Sequence, residues 1–134
     1  MELLMRNYCL AVYTFNEFVA PYDSEKIRGF REAEPRVFLN IERSEGFIAR
    51  SGYDGEVGPQ SWGEQTFPQC WTDHTGDGWA PSTLSLWESA EALMAATYQG
   101  PHGAALRHGK DWNVHADHIP GYVLWWVADG NTPN

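Results

Sequence analysis

Cysteine is scarce in this chain: Cys9 and Cys70 are the only two among 134 residues, 61 positions apart. That excludes a disulfide framework and any closely spaced thiol pair for metal or redox chemistry, and both are read as reduced structural residues. Basic side chains are the second scarcity. Nine Lys and Arg face eighteen Asp and Glu, for a formal charge of −9, so a polyanion meets repulsion over most of the surface and nucleic acid is excluded as a partner. An anionic membrane surface offers such a chain little, and no apolar run approaches the roughly 20 residues that a spanning helix requires. The N-terminus MELLMRNYCLAV carries Glu2 and Arg6 inside its apolar stretch, unlike the charged n-region and uninterrupted h-region of a secretion signal, which points to the cytoplasm. Internal repeats and low-complexity segments are absent as well.

Aromatic residues are abundant instead. They make up 14% of the chain and include seven tryptophans, more indole than a minimal core needs, which points to a ligand pocket or a subunit interface. The length suits one domain, residues 1–134, with a single core.

Tyr8–Phe15 (YCLAVYTF) is continuously apolar, as in a central strand buried on both faces. The segment 16–33 holds Pro21 and Gly29 around the short amphipathic piece SEKIRGF, which predicts a loop with a turn or two of helix. Pro35 suits the first turn of a helix over Glu34–Ser44, with Val37, Phe38 and Ile41 as its apolar stripe and Gly46 as its stop. Phe47–Tyr53 alternates and reads as a second strand. The excursion over 54–78 is rich in Gly and Pro yet carries Trp62, Phe67 and Trp71; irregular loops of this length are more often functional than decorative. Ser82–Trp87 is a third strand, Glu88–Tyr98 and His102–Trp112 form a helix broken at Gly100-Pro101, and Tyr122–Val127 (YVLWWV) is a last, strongly apolar strand. The resulting order, β-α-β then β-α-β, is that of the α+β ferredoxin-like fold: one antiparallel sheet with helices on one face. The apolar character of both faces of YVLWWV predicts that a second subunit covers the other face, giving a homodimer.

The motifs LAVYTFNEFVAPYD, IERSEGFIARSGYDG, SWGEQTFPQCW, GDGWAPSTLSLWES, TYQGPHGAALRHGKDW and GYVLWWVADGNTP, which span nearly the whole chain, resemble the family known as domain of unknown function 3291. The resemblance implies a dimeric α+β barrel, in a superfamily that includes cofactor-free antibiotic-biosynthesis monooxygenases, polyketide cyclases, haem-degrading enzymes and aldoxime dehydratases. It implies no particular reaction, because that family has none to transfer and the superfamily supplies fold-level analogy. Relatives often continue past the TP of the last motif into a further helix, and residues 113–118 here are more polar than the family's short connection into the last strand.

Candidate site residues are those placed to face the gap between sheet and helices. Tyr98 and His102 are four residues apart, as are His108 and Trp112, so each pair shares a face if the helix is regular. His102 and His108 are six apart, roughly 120° around the axis, so they do not share one. His102, in the first turn after the break, is the preferred base: a helix N-terminus favours the neutral imidazole and offers free N–H groups for an oxyanion. Tyr98 is its expected partner, and Trp87 is expected to face the same cavity. Trp62, Trp71, Trp79 and Trp87 are candidates for an aromatic lid over a planar substrate, Trp112 is a further substrate-binding candidate, and Asn40 and Arg50 are candidates for holding a carbonyl or phenolate. Each has a plainer role open to it: capping for His102, core packing for the tryptophans, a salt bridge for Arg50. Residues 73–78 (DHTGDG) lack the full ligand set of a calcium loop, and residues 115–118 (HADH) form no designed site, so no metal is expected.

These readings converge on a hydrophobic small-molecule substrate, aromatic or polyketide-like, handled without an organic cofactor by acid–base chemistry: oxygenation, cyclisation, isomerisation or elimination. Two alternatives compete. One is a haem protein with His102 or His108 as axial ligand, and the other is a non-catalytic dimer that binds a small ligand.

Overall fold

The structure is a computed structural model that describes residues 8–63, 67–69, 71–73, 75–78, 80–107, 109–114 and 121–133. Strand β1, Tyr8–Phe15, occupies the interior of the sheet as its composition requires. A 3-10 turn, Glu25–Ile27, runs into helix α1, Arg28–Glu42. Then follow β2 (Phe47–Arg50), β3 (Ser82–Trp87), α2 (Ala90–Tyr98), α3 (Gly100–Arg107), the short α4 (Gly109–Trp112) and β4 (Tyr122–Ala128). The strand order is β2-β3-β1-β4 with every pairing antiparallel. A βαββαβ chain with this order is the ferredoxin-like α+β fold expected from the sequence.

Three boundaries differ from expectation. Helix α1 begins at Arg28 instead of Glu34, so Pro35 lies inside the helix, where it removes one N–H donor. The cost is offset by tertiary anchoring of the earlier turns: Ile27 is fully buried, and the Phe30 ring meets Phe18 at 5.0 Å and Trp112 at 5.8 Å. Strand β2 stops at Arg50, because the N–H of Gly52 donates to the Gln60 carbonyl at 3.0 Å and draws the chain into the loop. Any side chain at Gly52 would place its Cβ 1.7 Å from the Pro59 carbonyl oxygen, so glycine is required there. The break after α2 falls where the sequence placed it, but α3 starts at Gly100, whose φ of +59° turns the chain directly from an extended Gln99.

Alternation along β1 divides the core in two. Leu10 and Val12 point to the helices, where they meet Trp87 and Ala96 with Ile41, Phe47, Ala92 and Leu93 around them. Cys9 and Ala11 point the other way and pack with Leu86 under Trp62, Trp125 and Val127, while Phe15 and Ala80 lie under Tyr13, Phe67 and Trp71. The sheet face opposite the helices is therefore covered over much of its area by the chain's own long loop. The expectation that it stands bare for a second subunit is corrected on that point: the loop tryptophans Trp62 and Trp71 serve as its cover. The large apolar side chains left most exposed on the sheet belong to the edge strand β4, with Trp126 and Tyr122 each more than 60% accessible. Register places both opposite helix-side residues of β1, Leu10 and Thr14.

Candidate functional site

A titratable cluster lies where α1 crosses β2. Glu34 and Phe38, one helical turn apart on α1, face the same direction. Arg50 on β2 stacks 4.0 Å from the centre of the Phe38 ring, and its Nε donates to Glu42 at 3.1 Å. Its side chain is only 13% exposed, so the guanidinium is already neutralised and stacked. Tyr53 packs beside Phe38 with ring centres 6.5 Å apart and donates its hydroxyl to the Ser82 carbonyl at 2.6 Å. Tyr22 completes the group by donating its hydroxyl to Glu34 at 3.4 Å. It is held in place by its own N–H, which donates to Asp77 at 2.8 Å, and by Arg31, whose guanidinium donates to the Tyr22 carbonyl.

Glu34 thus has a phenol as hydrogen-bond partner and no ion-pair partner among the described residues. Burial pushes its carboxyl above the usual range, against the opposing effect of the Tyr22 hydrogen bond. Burial also raises the phenols of Tyr22 and Tyr53, with the Glu34 charge adding to both. A half-buried carboxyl beside a phenol, holding its proton more tightly than an ordinary glutamate, can accept or give a proton. Structural ion pairs shift carboxyl groups the opposite way.

The residues singled out in the sequence are dispersed. Trp87 is 1% exposed, donates its Nε1–H to Ser85 at 2.9 Å and meets the Phe47 ring edge-on; it is a core residue. Tyr98 is 62% exposed, and the extended Gln99 breaks the helix before His102, so the four-residue spacing does not place the two on one face. The expected Tyr98–His102–Trp87 cavity is corrected accordingly. His102 is half-buried with Nδ1 2.8 Å from the Thr97 carbonyl. Because a carbonyl only accepts, Nδ1 carries the proton, and in the neutral ring Nε2 keeps its lone pair.

Trp112 packs on Phe30 and against Gly29. Trp62 lies over the sheet, and its backbone N–H donates to the Ser51 hydroxyl at 3.0 Å. Arg50 has the salt bridge that was its plainer alternative. Asn40 lines a cleft of about 620 Å³ between α1 and α2, together with Ser44, Glu88, Glu91, Ala92 and Gln99. Tyr98, His102 and Trp87 do not line it. His108, Trp79, Cys70, His74 and residues 115–118 lie outside the described residues. In the described part of the loop at 73–78, Asp73 accepts from the Gly78 N–H, and Asp77 accepts from Thr75 as well as from the Tyr22 N–H. No group of three or more metal-ligating side chains occurs among the described residues.

Sequence reasoning missed Glu34, Tyr22 and Tyr53. With the helix taken to start at Glu34, that residue reads as an ordinary first-turn acid. Once the helix is extended back to Arg28, it becomes a mid-helix carboxyl facing the sheet, and its offset from Phe38 is the signal that finds it.

Topology makes this chain a ferredoxin-like α+β protein, with a cluster of titratable side chains between its first helix and its edge strand β2. It belongs to the family described as Domain of unknown function (DUF3291), whose model matches residues 9–134. No curated protein matches the chain. Among solved structures it is similar to SnoaB, a cofactor-independent oxygenase from Streptomyces nogalater. The two share 10% identity over 94% of this chain and 96% of that one, with a TM-score of 0.48. No helix among the described residues is long and apolar enough to cross a membrane.

Proposed function

We propose that this chain is a cytoplasmic enzyme that acts without an organic cofactor on a hydrophobic aromatic or polyketide-like small molecule, by acid–base chemistry centred on Glu34. The observation that carries the reading is a half-buried carboxyl with a tyrosine hydroxyl as its neighbour and no cation paired to it. In the first step the Glu34 carboxylate takes a proton from an acidic C–H or O–H of the substrate, whose anion accepts a hydrogen bond from Tyr22. Phe38 and Tyr53, whose rings pack against each other in this cluster, favour an apolar body. Glu42 already pairs with Arg50, and Arg31 is engaged by the Tyr22 and Ser24 carbonyls, an arrangement that suits a neutral phenol or β-dicarbonyl.

The test is turnover of a panel of fused-ring phenols and β-diketones, followed by absorbance and oxygen uptake. A positioned acid–base group contributes about 10²–10⁴-fold, so Glu34→Gln is expected to lose that much with its fold intact by circular dichroism. Full activity in Glu34→Gln overturns the assignment. A second reading keeps His102 as the base, because its Nδ1 bond to Thr97 leaves Nε2 basic; loss of turnover in His102→Ala but not in Glu34→Gln selects it. The haem alternative would use the same Nε2 and is read by a Soret band after expression with haem. Saturable binding without turnover selects the carrier.

The homodimer belongs to this proposal too. With the loop over the far face of the sheet, the exposed Tyr122, Leu124 and Trp126 of β4 supply its contact surface. Sedimentation at micromolar concentration is expected to show two chains, and a monomer there removes it.

A further inference from the structure

We propose that the outer edge of β4 pairs with the same edge of a second copy of this chain, antiparallel and centred on Leu124, so that the two sheets continue into one another. The inference rests on the homodimer proposed above and specifies the strand and the register that hold it together.

The sheet has two edges, β2 and β4, and they are built differently. Strand β2 is four residues long, its pairing with β3 is interrupted by a bulge between Phe47 and Ala49, and it ends on Arg50. Short length, a bulge and a charge are features that keep an edge from recruiting another strand. Strand β4 has none of them. Its seven residues, YVLWWVA, include no charge, proline or glycine, and they pair with β1 in an unbroken register from Tyr122 to Ala128. Such an edge is a template for a further strand, and among the described residues no strand lies beyond it.

The backbone fixes which groups are available. The Phe15 N–H donates to the Gly121 carbonyl at 3.1 Å, so these two residues oppose each other as a hydrogen-bonded pair, and alternation extends that pattern to Val123, Trp125 and Val127. The N–H and C=O groups of Tyr122, Leu124 and Trp126 therefore point away from β1. Ala128 fits the same alternation, because its carbonyl accepts from Asn131 in the turn that follows. A copy related by a twofold axis at Leu124 sets Leu124 opposite the partner's Leu124 and Tyr122 opposite the partner's Trp126. Each of these pairs exchanges two hydrogen bonds, so every outward group of the three residues finds a partner. Side chains match as well: Tyr122 meets the partner's Trp126 on the helix side and Val123 meets the partner's Trp125 on the loop side, as in the aromatic pairs that stabilise antiparallel strands. Tyr122, Val123, Leu124 and Trp126 are 63%, 48%, 43% and 62% exposed. Covering them in both chains removes roughly 1,000 Å² from water, which reaches the size of a specific interface. Each chain carries a formal charge of −9, and an uncharged strand is where two copies meet with little repulsion.

The test is oxidative cross-linking of single-cysteine variants, with the parent chain, which contains Cys9 and Cys70, as the baseline. Cα atoms of a hydrogen-bonded pair lie about 5.5 Å apart, within disulfide range. Leu124→Cys is expected to join to itself. Tyr122→Cys and Trp126→Cys are each expected to stay single alone and to join when mixed. Leu124→Lys, which sets like charges face to face at the axis, is expected to weaken self-association about tenfold or more through repulsion and lost burial. In that variant the Leu124-position and Trp126 amides are expected to exchange hydrogen at least about tenfold faster than in the parent, while those of Val123 and Trp125, bonded to β1, stay protected. A dimer in which Tyr122→Cys and Trp126→Cys cross-link no better mixed than apart overturns this register and leaves the homodimer standing. Equal amide exchange in the parent dimer and Leu124→Lys does the same. A chain that sediments as a monomer overturns both.

Discussion

Leu86 and Trp87 are neighbours in β3, yet they look into differently built interiors. Trp87 enters a core sealed by two helices, whose contacting residues are mostly small or aliphatic: Ile41, Ala92, Leu93 and Ala96. Leu86 enters the opposite face, where the loop supplies rings as cover: Trp62 over Leu86 itself, and Phe67 and Trp71 over the adjoining Phe15 and Ala80. A helix satisfies its own backbone groups and can approach a sheet with alanine. A loop must satisfy its backbone piecemeal, as with Gly52 on Gln60 and Trp62 on Ser51, and it reaches across the gap with large side chains. The aromatic excess of the sequence is explained on this face before any ligand is invoked.

The largest expected effect tests which face holds the fold. Trp87→Ala removes a fully buried indole and leaves the Ser85 hydroxyl without its donor, and large-to-small changes of this kind cost about 3–5 kcal/mol. Chemical denaturation should show the midpoint falling with an unchanged slope. Trp62→Ala, half-buried beneath solvent, should cost less, about 1–2 kcal/mol on apolar area, and should speed proteolytic nicking of the loop more than it lowers the midpoint. The reverse order would mean that the loop, and not the helix pair, is the main seal of the sheet.

The same comparison explains what could be read from the sequence. Strands β1 and β4 were legible because continuous apolar runs have few other uses, β3 because STLSLW alternates, and the helix break because glycine and proline act locally. The start of α1 was not. Ile27 and Phe30 commit the chain to helix through contacts with Phe18 and Trp112, residues far away in sequence, and these outweigh a proline that local rules place in a first turn. Trp87 was read as a ligand contact from its place at a strand end, whereas its side follows from the register Leu10↔Trp87, which no single strand reveals. The candidate site is least legible of all. Tyr22, Glu34 and the Arg50–Tyr53 pair come from three segments, and none has a distinctive motif around it.

The smallest expected effect separates the faces by pH. Burial holds the Glu34 carboxyl above its ordinary range, so the folded chain binds that proton more tightly than the unfolded chain. The resulting stability is complete below the unfolded value, about pH 4.3 for a glutamate, and is lost as pH rises through the folded one. Glu34→Gln cannot ionise. Its melting temperature relative to the parent should therefore be close at pH 4 and should pull ahead toward pH 7, by a margin reduced because the group is partly solvated. On the loop face no such trend is expected from Tyr13→Phe. That variant removes a buried hydroxyl with no hydrogen-bond partner among the described residues, and since the phenol is pushed upward from an already high value, its advantage, about 1 kcal/mol, should stay level from pH 4 to pH 8. Thermal melts of the parent and both variants at four or five pH values decide the matter. A flat Glu34→Gln difference would remove the carboxyl from its buried setting and with it the chemical basis of the helix-side site. A Tyr13→Phe difference that varies with pH would instead reveal an ionisable partner for Tyr13 beneath the loop.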